Sequence, residues 1–268
     1  MVVVNLARAA ASPLFRDRPA SAPDVVLKET AVRADPDRVR AYARLCGFES
    51  GPVMPATYPH VLAFDQMMRL MSRRDFPFAL PGLIHVRNTI TVHRPIETAE
   101  ALTLRVHTGD VVEHPKGRTV DVLTSAGVGD TECWAERSTY LHREKARRRP
   151  ADAPERAEPL PAVATWDLPG TLGRRYARVS NDWNPIHLSR WTARLFGYSR
   201  PIAHGMWTLG RALAATPLPV SFTVDATFIA PLTLPARVEF ASDGRQAAVR
   251  PAGAPGARPH LTGTITRP

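Results

Sequence analysis

The sequence predicts an α+β fold in which one long helix lies against an antiparallel sheet, and it predicts this arrangement twice. Three observations carry the prediction. First, the chain repeats itself: "RAYARLCGF" (40–48) resembles "RRYARVSND" (174–182) at an offset of 134, half of the 268 residues. "NTITVHRPI" (88–96) and "DATFIAPL" (225–232) follow in the same order at nearly the same offset, and two matches in register argue for a duplicated unit of domain size. Second, several runs alternate apolar and polar residues, as strands with one buried face do. Third, "HVLAFDQMMRLMS" places Val61, Leu62, Phe64, Met67, Met68 and Met71 on one broad apolar helical face.

Taken in order, the first half opens with a helix at "DPDRVRAYARLCG" and continues with the apolar helix just described. Four strands follow, at "LIHVRNTITVHRP", "ALTLRVHTGDVVEHP", "RTVDVLTSAGVG" and "TECWAERSTYLHRE". "HPKGR" (114–118) reads as the hairpin turn between two of them; Lys116 and Arg118 there are weak candidates for phosphate. Residues 143–163, "REKARRRPADAPERAEPLPAV", are charged, proline-rich and without periodic apolar residues, which suits a linker. The expected organisation is therefore an N-terminal domain at 1–142, a linker at 143–163 and a C-terminal domain at 164–268. The second half repeats the plan with helices, then strands at "VSFTVDATFIAP", "ARVEFASDG", "QAAVRPAG" and "HLTGTITRP".

Composition narrows the function. No apolar run approaches the length of a membrane span. The N-terminal apolar stretch is too short and interrupted for a signal-peptide core. Its Arg, Ala and Ser, with no acid before Asp17, share a composition with organelle presequences, but a frayed cytoplasmic terminus is the expectation. Cys46 and Cys133 make neither a disulfide framework nor a metal cage and read as buried thiols in a reducing compartment. The net charge of +10 would favour an anionic partner, such as a phosphorylated cofactor or an acidic carrier protein. It accompanies no nucleic-acid motif.

The chemistry is concentrated in "NDWNPIHLSRWTARLFGYSRP". Asn184 is a good N-cap and Pro185 is pre-organised for a first helical position, so a helix is expected to run from there to about Phe196, with Gly197 beyond its end. His187 then lies in the first turn, where the dipole disfavours imidazolium and leaves a base. Asp182 lies just upstream. This pair alone is equally an Asx-type loop capping a helix. A second element follows: in "RPIAHGMWTLGRALAA" (200–215), His204-Gly205 precedes an apolar helix. Gly205 lets a ligand approach backbone N–H groups at a helix start, which suits an oxygen that becomes negative during reaction. A metal site built from Asp182, His187 and His204 is not expected, because their spacings match no familiar cage.

"YARVSNDWNPIH" followed by "RPIAHGM" resembles the MaoC-like (R)-specific enoyl-thioester hydratases and 3-hydroxyacyl-thioester dehydratases. "PATYPHVLAFDQMMRLM", "DFPF" and "NTITVHRPI" resemble the N-terminal region of their two-domain bacterial members. The resemblance implies a double hotdog, each half a long central helix wrapped by an antiparallel β-sheet. It implies hydro-lyase activity in fatty acid metabolism, with Asp182 and His187 catalytic and the Gly205 N–H as oxyanion hole. Ser180, Asn184 and His204 support the motif. No cofactor and no metal are implied. The substrate would be an acyl-CoA or acyl carrier protein thioester, and the protein a pseudo-dimeric monomer or a homodimer. Two departures stand out: Asn181 replaces the usual glycine, and Ser189 replaces a common acidic residue.

In the first half, Phe48 stands where Asp182 stands, and no Asn-Pro-x-His follows. That half is expected to lack an active site and to supply part of the acyl pocket. His60, Tyr58 and Asp65 read as structural, and His85, His93, His107, His114, His142 and His260 have no convergent partners in sequence. Two other readings remain at this point: a hotdog thioesterase, and a non-catalytic acyl-thioester-binding subunit.

Overall fold

The computed structural model describes residues 18–144 and 160–267. The first half runs β1 (Leu27–Val32), α1 (Pro36–Cys46), α2 (Tyr58–Met71), β2 (Leu83–Val92), β3 (Leu102–His114), β4 (Gly117–Val128) and β5 (Thr131–Arg143). The second runs β6 (Ala162–Leu168), α3 (Leu172–Ser180), a 3-10 turn (Pro185–His187), α4 (Arg190–Arg194), α5 (Gly205–Ala214), β7 (Phe222–Phe228), β8 (Ala236–Ser242), β9 (Gln246–Pro251) and β10 (Leu261–Thr266). No helix among the described residues is long and apolar enough to cross a membrane.

Local chemistry explains the helix ends. Asp35 caps α1 by accepting the Asp37 N–H at 2.9 Å, and Pro36 takes the first position. Gly47 ends α1 in the left-handed conformation. The apolar face expected on α2 is buried, and so are Tyr58 and His60 at its start.

All strands join one ten-stranded antiparallel sheet, in the order β1-β3-β4-β5-β2-β7-β10-β9-β8-β6. With each strand matched to its counterpart in the other half, this order reads the same from either edge. The molecule is an α+β double hotdog. The segments that repeat in sequence are the ones that meet at the centre. β2 pairs with β7, with Asn88 opposite Ala226 and Ile90 opposite Val224. Arg87 donates twice to Asp225 across this seam, through Nε at 2.7 Å and through Nη2. Above it, α1 packs on α3, and the matching tyrosines Tyr42 and Tyr176 have ring centroids 5.8 Å apart. Buried residues of both halves form one apolar cluster.

Three sequence expectations change. β1 and β6, the two edge strands, were not foreseen; β1 reads "LKETAV", with only its ends partly buried, so it shows no alternation. β6 begins inside the expected linker, of which residues 145–159 lie outside the described residues. The single helix expected from Pro185 to Phe196 is two pieces. Ser189 and Thr192 form a capping box that starts α4 afresh, and the Thr192 hydroxyl also donates to the Pro185 carbonyl at 2.6 Å. Arg118 is engaged internally, with Nε donating to Glu144 at 2.7 Å and the guanidinium over Phe78.

Candidate active site

The loop after α3 is built residue by residue to present a carboxylate. Asn181 has φ of 65° and donates its N–H to the Ala177 carbonyl at 2.9 Å. It is the left-handed residue that ends the helix, a conformation asparagine adopts more readily than most residues. Ser180 donates its hydroxyl to the Tyr176 carbonyl at 2.9 Å and accepts the Asp182 N–H at 3.2 Å. Asp182 Oδ1 accepts the Asn184 N–H at 3.1 Å, and Asn184 Oδ1 accepts the Ile186 N–H at 3.4 Å. Two successive Asx turns thus set the direction of the chain into Pro185 and His187.

His187 is buried, and its Nδ1–H donates to the Ile202 carbonyl at 2.7 Å. A carbonyl only accepts, so the proton sits on Nδ1 and Nε2 keeps its lone pair. Burial pushes the imidazole below its ordinary pKa, against the pull of Asp182 and the bond to Ile202. The sequence expectation of a neutral His187 stands, but the cause is burial; a three-residue 3-10 turn carries little dipole.

His204 lies on His187, with ring centroids 3.7 Å apart and planes at 25°. Its Nε2–H donates to the Asp182 backbone carbonyl at 3.1 Å and lies 3.7 Å from Oδ2 of the same residue. Burial first, and then the neighbouring His187, push it down to about 3. His204 therefore touches both residues of the pair. Gly205 follows as the first residue of α5, so its N–H is among those the helix leaves unbonded. A Cβ on Gly205 would lie 3.0–3.2 Å from the Phe228 ring. A side chain there would require the Phe228 ring to shift by a few tenths of an ångström.

The structure brings Asp182, His187, His204 and Gly205 together, with Ser180 and Asn184 beneath them. One ligand atom each from Asp182, His187 and His204 lies within 4.8 Å of the others. The sequence analysis named all three as site residues, but their spacing matched no familiar metal cage. Two imidazoles and a carboxylate are donors a transition ion would accept, and they equally suit a water held between an acid and a base.

Sequence reasoning missed Gly173. A Cβ there would lie 1.9 Å from the His187 carbonyl oxygen, so the absence of a side chain on α3 is what lets the 3-10 turn seat His187. A glycine inside an otherwise helical "TLGRRYARVS" was the available signal. Sequence reasoning expected the N-terminal half to supply part of the pocket but did not single out the residues. His85 does converge with other groups: its ring packs on Tyr140 at 4.8 Å and on Phe228 at 4.9 Å between centroids.

Fold and site together define a double hotdog with an acid–imidazole pair, Asp182 and His187, set near the N-terminal end of a helix. Comparison with known proteins agrees. Residues 162–220 match the MaoC like domain. Over 239 residues the chain is 37% identical to 3-hydroxyacyl-thioester dehydratase X of Mycobacterium tuberculosis, covering 87% of this chain and 85% of the relative. It is 22% identical over 200 residues to the peroxisomal enoyl-CoA hydratase 2 of Arabidopsis thaliana, covering 68% and 63% of the two chains. The crystal structure of HtdX of Mycobacterium tuberculosis superposes with a TM-score of 0.77 at 34% identity, covering 90% of this chain and 99% of the other. The chain belongs to the MaoC-like dehydratase family.

Proposed function

We propose that this protein reversibly hydrates trans-2-enoyl thioesters to (R)-3-hydroxyacyl thioesters, the reverse dehydration using the same pocket. One observation carries the reading: Asp182 and His187 sit within 4.8 Å of each other beside the free N–H groups at the start of α5. The names of the dehydratase and hydratase relatives support it. In hydration, the thioester oxygen lies at the Gly205 N–H and a water lies between the two side chains. The water oxygen bonds C3 as one of its protons passes to His187 Nε2. The C2=C3 electron pair moves onto the thioester, whose developing oxyanion the Gly205 N–H stabilises. The proton taken by His187 is passed to Asp182, which delivers it to C2, so one water is added and the pair is unchanged. The thioester is the electron sink, and no redox step is involved.

The net charge of +10 supports an anionic handle, coenzyme A or an acyl carrier protein. On this reading the C-terminal domain, 164–268, carries the chemistry. The N-terminal domain, 1–142, carries none and walls the pocket, and 143–163 joins them. One chain holds both halves of the site, so a cytoplasmic pseudo-dimeric monomer suffices.

Mixing the protein with a short trans-2-enoyl-CoA should bleach the conjugated-thioester absorbance. Asp182→Asn and His187→Ala should each lower kcat by roughly 10²–10⁴ with the melting temperature retained, and dialysis against a chelator should leave the rate unchanged. Full activity in both variants would overturn the reading. Release of free thiol in place of hydration would identify a thioesterase. Chelator-sensitive turnover restored by a metal would reassign the trio to an ion.

A further inference from the structure

We propose that the site takes short acyl chains, because a buried polar cluster of the N-terminal half (His60, His85, Asn88, Glu136 and Tyr140) closes its acyl side. The inference rests on the hydratase reading above and names the substrate class within it.

The cluster is a built feature. His60 Nδ1 lies 2.9 Å from both carboxylate oxygens of Glu136, and these side chains are 6% and 0% exposed. Asn88 Nδ2 donates to Glu136 Oε1 at 2.6 Å and to the Ser138 hydroxyl at 3.0 Å. Burial alone would neutralise both members of the pair. It is the largest influence on each, pushing His60 down and Glu136 up. The partner's charge and hydrogen bond together with smaller contributions, among them the Asn88 bond to Glu136, outweigh it and leave His60 raised and Glu136 lowered. Both directions favour the ion pair in the interior. His85 is driven the other way, to about 4, by burial and then by the His60 charge, so it is neutral.

Its position relative to the reacting atoms makes it relevant. The thioester carbon and C2–C3 lie between Gly205 and the Asp182/His187 pair. His187 is backed by the Ile202 carbonyl, the His204 ring and the α3 backbone at Gly173, which leaves no room there for a chain. From Gly205 the wall continues through Phe228 to His85 and Tyr140. His85 lies parallel to His60 at 6.5 Å, and His60 is 6.0 Å from Phe64, between ring centroids. The cluster therefore borders the pocket beyond Gly205 and Phe228, and the Asp182 carboxylate raises the pKa of His60, His85 and Tyr140 in keeping with that placement.

An alkyl chain extended in that direction meets a continuous run of rings, an ion pair, and two buried polar atoms without partners among the described residues, His85 Nε2 and Asn88 Oδ1. Each CH₂ entering an apolar pocket ordinarily strengthens binding by roughly fourfold. Here added methylenes displace packed rings and leave polar groups unpaired, so the gain is lost.

The test is a chain-length series of trans-2-enoyl-CoA substrates from C4 to C10. The wild-type kcat/KM should fall by about tenfold or more across the series. His85→Ala, which opens space behind Phe228, should raise the C10:C4 ratio by about tenfold. The paired change His60→Leu with Glu136→Leu removes both charges, leaves no unpaired ion, and should shift the ratio the same way. Equal or better turnover of C10 by the wild type overturns the proposal, as does an unchanged ratio in a folded variant. If neither variant folds, the wild-type series decides alone. A wild type inactive at every chain length refutes the hydratase reading itself.

Discussion

His187 and His204 carry the same side chain 3.7 Å apart, yet their contacts give them different work. His187 uses Nδ1 on the Ile202 carbonyl, which leaves the lone pair on Nε2. His204 uses Nε2 on the Asp182 carbonyl, and its Nδ1 is buried without a partner among the described residues. It holds the pair in place and does not transfer protons in the proposed chemistry. Both folded-state pKa values lie below the unfolded value near 6.5. Below that value the unfolded chain takes up protons that the folded chain refuses, so stability falls as pH falls. For His204 the window extends from 6.5 to about 3. The melting temperature should therefore drop as pH is lowered from 7 to 5, and the drop should be shallower in His204→Phe, which cannot be protonated. An equal slope in that variant would place the acid sensitivity elsewhere, for instance at His187 or at His85.

At the scale of elements, α3 and the turn that follows it meet through a glycine. Gly173 faces the His187 carbonyl so closely that Ala at this position must push the 3-10 turn away. Gly173→Ala should destabilise the fold by about 1–3 kcal/mol and lower kcat more than it raises KM, because it displaces His187 from Asp182; unchanged kinetics would mean that the turn has slack. This contact shows where sequence reading runs out. Asp182, Asn184, Pro185 and His187 were legible because their roles are local: an Asx-type loop, a cap, a proline at a first helical position. Strands β2–β5 and β7–β10 and helix α2 were legible from periodicity, whereas the edge strands β1 and β6 were not. Gly173, the Ile202 carbonyl that orients His187, and the His60–Glu136 pair were not, because each acts on a partner at least 14 residues away. Such contacts depend on tertiary approach, which no local pattern encodes. The break at Ser189 was locally encoded but masked, since the stretch from Pro185 to Phe196 has an acceptable helical composition throughout.

For the whole molecule, the duplication has kept the scaffold and divided the roles. Phe48, the counterpart of Asp182 in the repeat, lines an apolar groove of about 600 Å³ with Pro55, Pro59, Val92, Trp134 and Phe222. Val92 and Phe222 are paired across the β2–β7 seam, at the opposite end from His85 and Phe228. The groove is therefore the catalytic pocket's counterpart, with Phe48 and Val53 at the repeat positions of Asp182 and His187 and with Glu49 and Arg94 also in its lining. The halves are nevertheless not independent. They share one sheet, paired at β2–β7 by six residue pairs. They also share one apolar cluster, and Trp207 of α5 donates its indole N–H to the Leu45 carbonyl at 3.2 Å. A half taken alone would expose the open edge of β2 or β7 and the apolar surface beneath it. Unfolding should therefore be a single cooperative transition, with calorimetric and van't Hoff enthalpies in agreement. Ile90→Ala, in the fully buried middle of the seam, should cost about 2–5 kcal/mol and shift that one transition down without splitting it. If the N-terminal half melted separately while α5 and β7–β10 kept their amide protection, the halves would be joined only by pairing, and the N-terminal wall of the pocket could loosen without loss of the catalytic residues.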